Sequence, residues 1–512
     1  MRNLDEVNRA LQRIARGTGI VFTGTVATML LTFLSRVIIA RYFDRYQYGS
    51  FTLTITILSI AMTVAIMGFQ SGIPRELSRY RMEAPEKISA LISTALLMTS
   101  VTSLIMTTIT AILAPHLGLM LNDIYLPRTL RLASPALPSM VLLMILVAIS
   151  RGFGRVRENL YYRNILSPLL FLTILVAGLF AGLGFTFVFI AYVFAQFLTT
   201  GALAFEMIRL GFLPKRFTFD RELGKELFIF SLPLLLTGIL DYVMGWTDSI
   251  MLGYYFNPDV VGLYNGAAPI ARLIPLFLNS MGFLYIPITT TFFTTGNIEG
   301  LKKLYRTTTR WVFLLTFPVF VFIFAFPEVT IGLFFGPKYV EASTALRILA
   351  AGFVFHTLLG LNGMSLTVIG ETNANLIGNF FASVANVVLN VLLIPIYGIE
   401  GAATATAVSY IIANIFRTSW LYKKTGIHPL SGSYLKQLFV GLGMIVILKL
   451  ANVSVSSIWA ALGVLVAFFV VYFALILVLR SVEKEDIELL FAVEKKFGIS
   501  LGRLRKILER FA

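Results

Sequence analysis

The chain has 512 residues, of which 57% are hydrophobic and only 13% charged, against roughly 25% charged in a soluble domain. It has no cysteine, which excludes disulfides, thiol chemistry and Cys-type metal sites. Its three histidines, His116, His356 and His428, stand too far apart for metal-ligand spacing. The net charge of +16 would suit a polyanion, but its placement along the chain assigns it to membrane topology, with no nucleic-acid partner.

In chain order, "LDEVNRALQRIAR" comes first and puts Leu4, Val7, Leu11 and Ile14 on one side of a short amphipathic helix. The apolar segment after Gly17 is too long for a signal-peptide core and no small-residue cleavage site follows it, so it reads as a first spanning helix that stays. Apolar runs of about 20 residues or more then recur, each able to cross a hydrocarbon layer of about 30 Å. About fourteen spans are predicted, near 18–42, 49–72, 89–114, 129–150, 163–183, 185–208, 227–252, 261–292, 310–332, 343–368, 374–396, 399–421, 435–452 and 457–480. The fold class is an all-α polytopic membrane protein. The tail places Leu490, Val493, Phe497, Leu501, Leu504, Leu508 and Phe511 at helical spacing among charges, as an interfacial helix does.

Most of the 42 lysines and arginines fall at the N-terminus, in alternate connections and in the tail. Arg75, Arg79, Arg81 and Lys87 follow the second span; Arg151, Arg155, Arg157 and Arg163 follow the fourth. Lys215, Arg216 and Arg221 follow the sixth, Lys302, Lys303 and Arg306 the eighth, and Lys423 and Lys424 the twelfth. The positive-inside rule puts both termini in the cytoplasm of a multi-pass cell-membrane protein, as an even number of spans also requires. The excess charge then serves topology and attraction to anionic headgroups.

The chain is internally duplicated. "ARYFDRYQYGSF" (40–51) aligns with "GYYFNPDVVGLY" (253–264) at an offset of 213, matching Tyr42, Phe43 and Gly49 with Tyr255, Phe256 and Gly262. "GRVRENL" (154–160) aligns with "GETNANL" (370–376) at 216. The expected organisation is a first half, 1–213, a second half, 214–426, and an addition, 427–512, with helices thirteen and fourteen. Six spans separate the copies, which implies two six-helix bundles about a pseudo-twofold along the membrane normal.

Ionisable groups at membrane depth face a cavity or a partner. Asp241 and Asp248 share a helix face, seven residues apart; Asn265, Arg272 and Asn279 recur every seven residues in the next span. Asp241 and Arg272 each lie about 11 residues from the outer ends of their spans, roughly 16 Å deep at 1.5 Å per residue, and are expected to pair. Arg36, at matching depth in the first half, is expected to pair with Asp248. Asn375, Asn379, Ser383, Asn386 and Asn390 form one stripe. These pairs and stripes serve either as interhelical glue or as the lining of a wet cavity suited to sugar hydroxyls. His356 reads as a satisfied core residue or a proton relay.

"FSLPLLLTGILDYVMGWTDSIMLGYYFNPDVVGLYNGAAPIARLI", "LFFGPKYVEASTALRILAAG" and "GETNANLIGNFFASVANVVLNVLLIPIYGIEGAATATAVSYI" resemble the O-antigen type oligosaccharide flippases of the polysaccharide-biosynthesis transporter family. That family shares a superfamily with multidrug antiporters and flippases of murein lipid precursors. The resemblance implies alternating access, with a lipid-diphosphate-linked oligosaccharide carried from the inner to the outer leaflet for surface-glycan synthesis. Arginine suits diphosphate oxygens, so Arg36, Arg272 and the inner-mouth Arg151, Arg155 and Arg163 are its candidate contacts. The wider transport cavity would add Asp241, Asp248, Asn265, Asn279, Asn375, Asn379, Asn386 and His356. No resident cofactor is expected, and a coupling Na+ or H+ is left open. Partners are the lipid-linked substrate, the bilayer and other glycan-assembly membrane proteins. A cation-coupled multidrug antiporter is the alternative. A membrane glycosyltransferase or polymerase is a second alternative, disfavoured because no outer connection exceeds roughly 15 residues by the span limits above.

Overall fold

The computed structural model describes residues 24–429, 432–450 and 458–479. The two amphipathic segments expected near the termini lie outside them. All regular structure among the described residues is helical. The first helix is α1 (Gly24–Tyr42). Then come α2 (Arg45–Ile66), α3 (Phe69–Glu83), α4 (Ile88–Met120), α5 (Leu126–Ala133) and α6 (Ala136–Gly152). A π-helical segment (Asn159–Leu166) leads into α7 (Ser167–Phe180), followed by α8 (Thr186–Arg209), α9 (Arg221–Tyr255), α10 (Pro258–Ala271), α11 (Leu276–Thr294) and α12 (Ile298–Ala325). The series ends with α13 (Pro327–Phe334), α14 (Ser343–Leu358), α15 (Asn362–Val368), α16 (Thr372–Thr425), α17 (Gly432–Leu450) and α18 (Ile458–Val478).

Nine of the described helical stretches are long and apolar enough to cross a bilayer, eleven when each of two bent pairs is taken as one span. The 54-residue α16 is itself two legs, because Gly398 (φ 55°, ψ −126°) breaks it. With α17 and α18, these fill the fourteen expected places. The hairpins anticipated near Gly182 and Gly398 both turn on a glycine of positive φ, a conformation that costs glycine nothing sterically.

Four spans expected as single helices are broken. The second bends at Met67 and Gly68, both left-handed. The fourth bends by 46° between α5 and α6, at Ser134–Pro135, and the eighth by 52° between α10 and α11, ahead of Pro275. The tenth breaks at Gly360, φ 70°. Proline removes the N–H that would continue the helical ladder. The seven-residue stripe expected along the eighth span therefore does not run on one helix: Asn265 lies on α10, Arg272 in the break and Asn279 on α11.

Packing gathers the chain into two units that cut across the sequence repeat. The first comprises residues 24–265 with Asn386–Ala402, the second Gly266–Ala385 with the described residues from Ala403 onward. The first has a core of Phe69, Ile73 and Leu77 from α3, Leu91 and Ala95 from α4, Ile145 and Ile149 from α6, Leu203 and Met207 from α8, and Leu223 and Leu227 from α9. In the second, Tyr285 of α11, Leu301, Tyr305 and Val312 of α12, Leu361 and Leu366 near α15, and Leu421 of α16 are buried together.

The duplicated motif has a structural cause in each copy. Asp44 caps α2, its Oδ1 accepting from Gln47 N at 2.7 Å, and the matching Asn257 accepts from Val260 N at 3.3 Å. Helix starts need such side-chain acceptors for their orphan N–H groups. The two copies also meet. A carbon added to Gly49 would lie 1.7 Å from Pro258 O, and one added to Gly262 would lie 2.1 Å from Arg45 O. Arg45 and Pro258 are themselves repeat equivalents, so exchanging the copies reproduces the contact. That self-complementarity is the mark of a local twofold. Arg45 closes the contact through Asp259 at 2.8 Å, and Tyr48 OH donates to Asn265 O at 3.2 Å.

The other repeated motif is tied down by opposite charges in its two copies. In the first unit Arg155 reaches Glu158 at 2.5 Å and Glu206, near the end of α8, at 3.9 Å. In the second, Glu371 accepts from Lys424 at 2.7 Å and from Trp420 Nε1 at 3.1 Å, near the end of α16. Lys424 and then Trp420 hold the Glu371 carboxyl below its ordinary value.

The glycine contact sets a measurable constraint. Gly49→Ala and Gly262→Ala are each expected to lower the thermal unfolding midpoint of the purified protein, by the equivalent of about 1–3 kcal/mol for an overpacked site. Gly201→Ala, where the added carbon meets nothing within 4 Å, should not lower it.

Candidate functional site

A proline shapes the first part of the site. Pro168 has no N–H, so the carbonyl of Asn164, four residues earlier, lacks its helical donor. Thr28 of α1 offers a replacement, its hydroxyl standing 2.6 Å from Asn164 O and 2.7 Å from Gly24 O of its own helix and able to donate to the former. Ahead of the proline the chain takes the wider π turn, a form that recurs at functional sites. This turn carries Arg163.

Arg163 faces a cavity of about 230 Å3 within the first unit. From α1 come Thr28, Thr32, Ser35 and Arg36, at three- and four-residue spacing on one face. Phe51 and Ile55 of α2, Ser167, Pro168 and Phe171 of α7, and Tyr192 and Gln196 of α8 complete the lining. Gln196 Nε2 donates to Ser167 Oγ at 3.2 Å. The Arg36 guanidinium lies 5.6 Å from the centre of the Trp246 ring of α9, within cation–π range. Two arginines, hydroxyls and an amide line this space, and none of the lining residues is acidic. Such a set presents hydrogen-bond donors to an anion.

The second part is a buried polar cluster in the same unit. Asp248 of α9 is 3% exposed. Its Oδ2 accepts from Tyr264 OH at 2.6 Å and its Oδ1 from Asn390 Nδ2 at 2.9 Å. Asn390 Nδ2 also donates to Asn386 Oδ1 at 3.1 Å. Asn265 Nδ2 donates to Ser249 Oγ at 3.0 Å beside them. Asn390 Oδ1 is buried with no hydrogen-bond partner. A carboxylate with amide and phenol oxygens around it can take up a proton or a hard monovalent cation.

The second unit holds its own network. His356 Nδ1 lies 3.0 Å from Asn414 Oδ1. Asn414 Nδ2 already donates to Tyr410 O, so its Oδ1 accepts and His356 carries the proton on Nδ1. Asn362 Nδ2 donates to Asn414 Oδ1 at 3.1 Å and to Thr418 Oγ1 at 2.9 Å. Asn375 Nδ2 donates to Gly363 O at 2.6 Å, and Arg417 donates to Asn379 Oδ1.

The structure thus gathers the sequence-derived candidates into three places. Arg36 and Arg163 share the cavity. Asp248, Asn265 and Asn386 lie in or beside the buried cluster. His356, Asn375 and Asn379 belong to the polar network of the second unit. Asp241 is exposed on α9 and Asn279 on α11, and Arg151 is exposed at the end of α6. Asp241 belongs to the first unit and Arg272 to the second. Arg155 is engaged by Glu158. Sequence reasoning missed Gln196, Tyr192, Tyr264, Asn362 and Asn414. A glutamine inside an apolar run was a usable signal for Gln196; the tyrosines and the other asparagines are marked only by their partners.

The description "Polysaccharide biosynthesis protein" matches residues 14–293, and MatE matches residues 233–392. The chain is 27% identical over 232 residues to the uncharacterized membrane protein MJ1068 of Methanocaldococcus jannaschii, covering 45% of this chain and 46% of that protein. It is 25% identical over 198 residues to the probable low-salt glycan biosynthesis flippase Agl15 of Haloferax volcanii, covering 39% of this chain and 42% of the relative. The matches therefore span less than half the length of either relative. Among solved structures, the lipid II flippase MurJ in its inward closed conformation superimposes with a TM-score of 0.74 at 15% identity, over 89% of this chain and 98% of that one; the likeness is one of fold. Because the first description covers more than half of its residues, the chain belongs to the polysaccharide biosynthesis protein family.

Proposed function

We propose that this protein is a flippase that carries a polyprenyl-diphosphate-linked oligosaccharide from the inner to the outer leaflet of the cell membrane, by alternating access, for surface-glycan synthesis. The observation that carries the reading is the cavity where Arg36 and Arg163 stand among hydroxyls with no acidic lining residue. A diphosphate cannot enter hydrocarbon bare, and guanidinium forks match its oxygens in geometry and charge. The threonines, serine and glutamine alongside suit sugar or phosphate oxygens. The glycan-flippase description of one relative supports the same reading.

In this reading the basic connections face the cytoplasm with both termini, and the protein works beside other glycan-assembly membrane proteins. The protein transports its substrate and does not alter it. Asp248 is the coupling group: a Na+ or H+ at its carboxylate would compete with the Tyr264 and Asn390 donors and so link ion binding to helix packing. A cation-coupled drug antiporter is the second reading, favoured by the MatE match over 233–392. An anion-suited cavity counts against it.

Deleting the protein is expected to accumulate a lipid-linked glycan at the inner leaflet without changing drug sensitivity; the opposite pattern would establish the antiporter. Arg163→Gln should leave protein levels intact and raise the apparent KM of transport in proteoliposomes about 10–100-fold, the range for losing a charge-assisted bond. Normal export by that variant would overturn the phosphate assignment. Asp248→Asn, which keeps the size and one acceptor, should remove the dependence of transport on an imposed Na+ or pH gradient. A gradient dependence unchanged from wild type would remove Asp248 from coupling.

A further inference from the structure

Arg163 is carried on a turn that has two alternatives. One residue of register around a helix is a rotation of about 100°. Were Asn159–Leu166 to relax from π to α geometry, Arg163 would swing out of the cavity. Something must hold the wider turn, and Pro168 with the Thr28–Asn164 bond accounts only for its far end.

The near end is held by a cluster outside the cavity lining. Tyr162, adjacent to Arg163, donates its phenol to the Glu206 carboxylate of α8. Glu206 lies 3.9 Å from Arg155 Nη2, and Arg155 Nε donates to Glu158 Oε1 at 2.5 Å. Glu158 is 1% exposed. Ser150 Oγ fixes the same loop by donating to Arg155 O at 3.1 Å. On the opposite side α1 presses on the segment: a carbon added to Gly24 would lie 1.8 Å from Leu160 Cδ1. The segment is thus gripped between α1 and α8, with Tyr162 as its tether to α8.

We infer that Tyr162 and Glu206 are positioning residues that hold the π turn, and through it aim Arg163 at the phosphate of the substrate. This rests on the reading of Arg163 as a phosphate contact. Arg155, paired with two carboxylates, orients Glu206 and anchors the loop; it does not meet phosphate itself.

The test uses full-length protein in proteoliposomes, with a fluorescent polyprenyl-diphosphate-linked disaccharide as transported probe and inorganic pyrophosphate as competitor. Tyr162→Phe is expected to raise the apparent KM about tenfold, the loss of one charge-assisted hydrogen bond, and to weaken pyrophosphate inhibition in parallel. The maximal rate should stay within about twofold. Because Tyr162 acts through Arg163, the double variant Tyr162→Phe/Arg163→Gln should be no worse than Arg163→Gln alone. Glu206→Gln, which keeps an acceptor for the phenol, should retain most of the affinity that Glu206→Ala loses; this pair decides the matter if Tyr162→Phe does not fold. A raised KM in Arg163→Gln with a wild-type KM in Tyr162→Phe and Glu206→Ala overturns the positioning role and leaves the phosphate site standing. Additive losses in the double variant, or a fall in maximal rate with KM unchanged, overturn it too. A wild-type KM in Arg163→Gln removes the phosphate reading on which it rests.

Discussion

Inside hydrocarbon no water completes a broken hydrogen bond, so every interruption of a helix must be answered by a protein group. The bond from Thr28 to the Asn164 carbonyl is one such answer, and the candidate site follows from it. Pro168 takes away a donor, α1 supplies another, and the turn between them widens and carries Arg163 into a cavity. Gly398, between the two legs of α16, and Gly360, between α14 and α15, are other interruptions, each at a glycine of positive φ. The break at Pro168 places a charge, Arg163, at the cavity.

Duplication gives the two copies common devices without making them chemically alike. Asp44 and Asn257 cap corresponding helices, and Gly49 and Gly262 let those helices touch along the backbone. The second repeated motif keeps its function as a clasp while exchanging its charges, Arg155 to Glu206 in one copy and Glu371 to Lys424 in the other. Geometry is what the repeat preserves, because a cap or a close approach is a backbone requirement. Charge is free to diverge wherever either sign completes the pair.

The first unit carries two polar sites of different make-up. Arg36 and Arg163 line a cavity with hydroxyl, amide and apolar side chains, and the Asp248 carboxylate accepts from Tyr264 and Asn390. The proposed division of labour places the anion at the arginines and the coupling ion at the aspartate.

By itself the sequence determined the membrane class, the helical fold, the spans and the duplication, since these follow from composition, run length and local motifs that act within one turn or one hairpin. It also marked Arg36, Arg163, Asp248 and Asn386 as out of place in an apolar chain, because burying such groups is costly whatever surrounds them. It did not determine their partners. Tyr264 and Asn390 bond the Asp248 carboxylate, and Asn390 comes from a segment 142 residues away. Nor did an apolar run reveal that the eighth span bends by 52° or that a π turn precedes α7. Hydropathy averages over a span, whereas a bend or a widened turn depends on which single carbonyl loses its donor and which neighbouring helix can replace it. Only the tertiary structure decides that, since the replacement comes from another part of the chain.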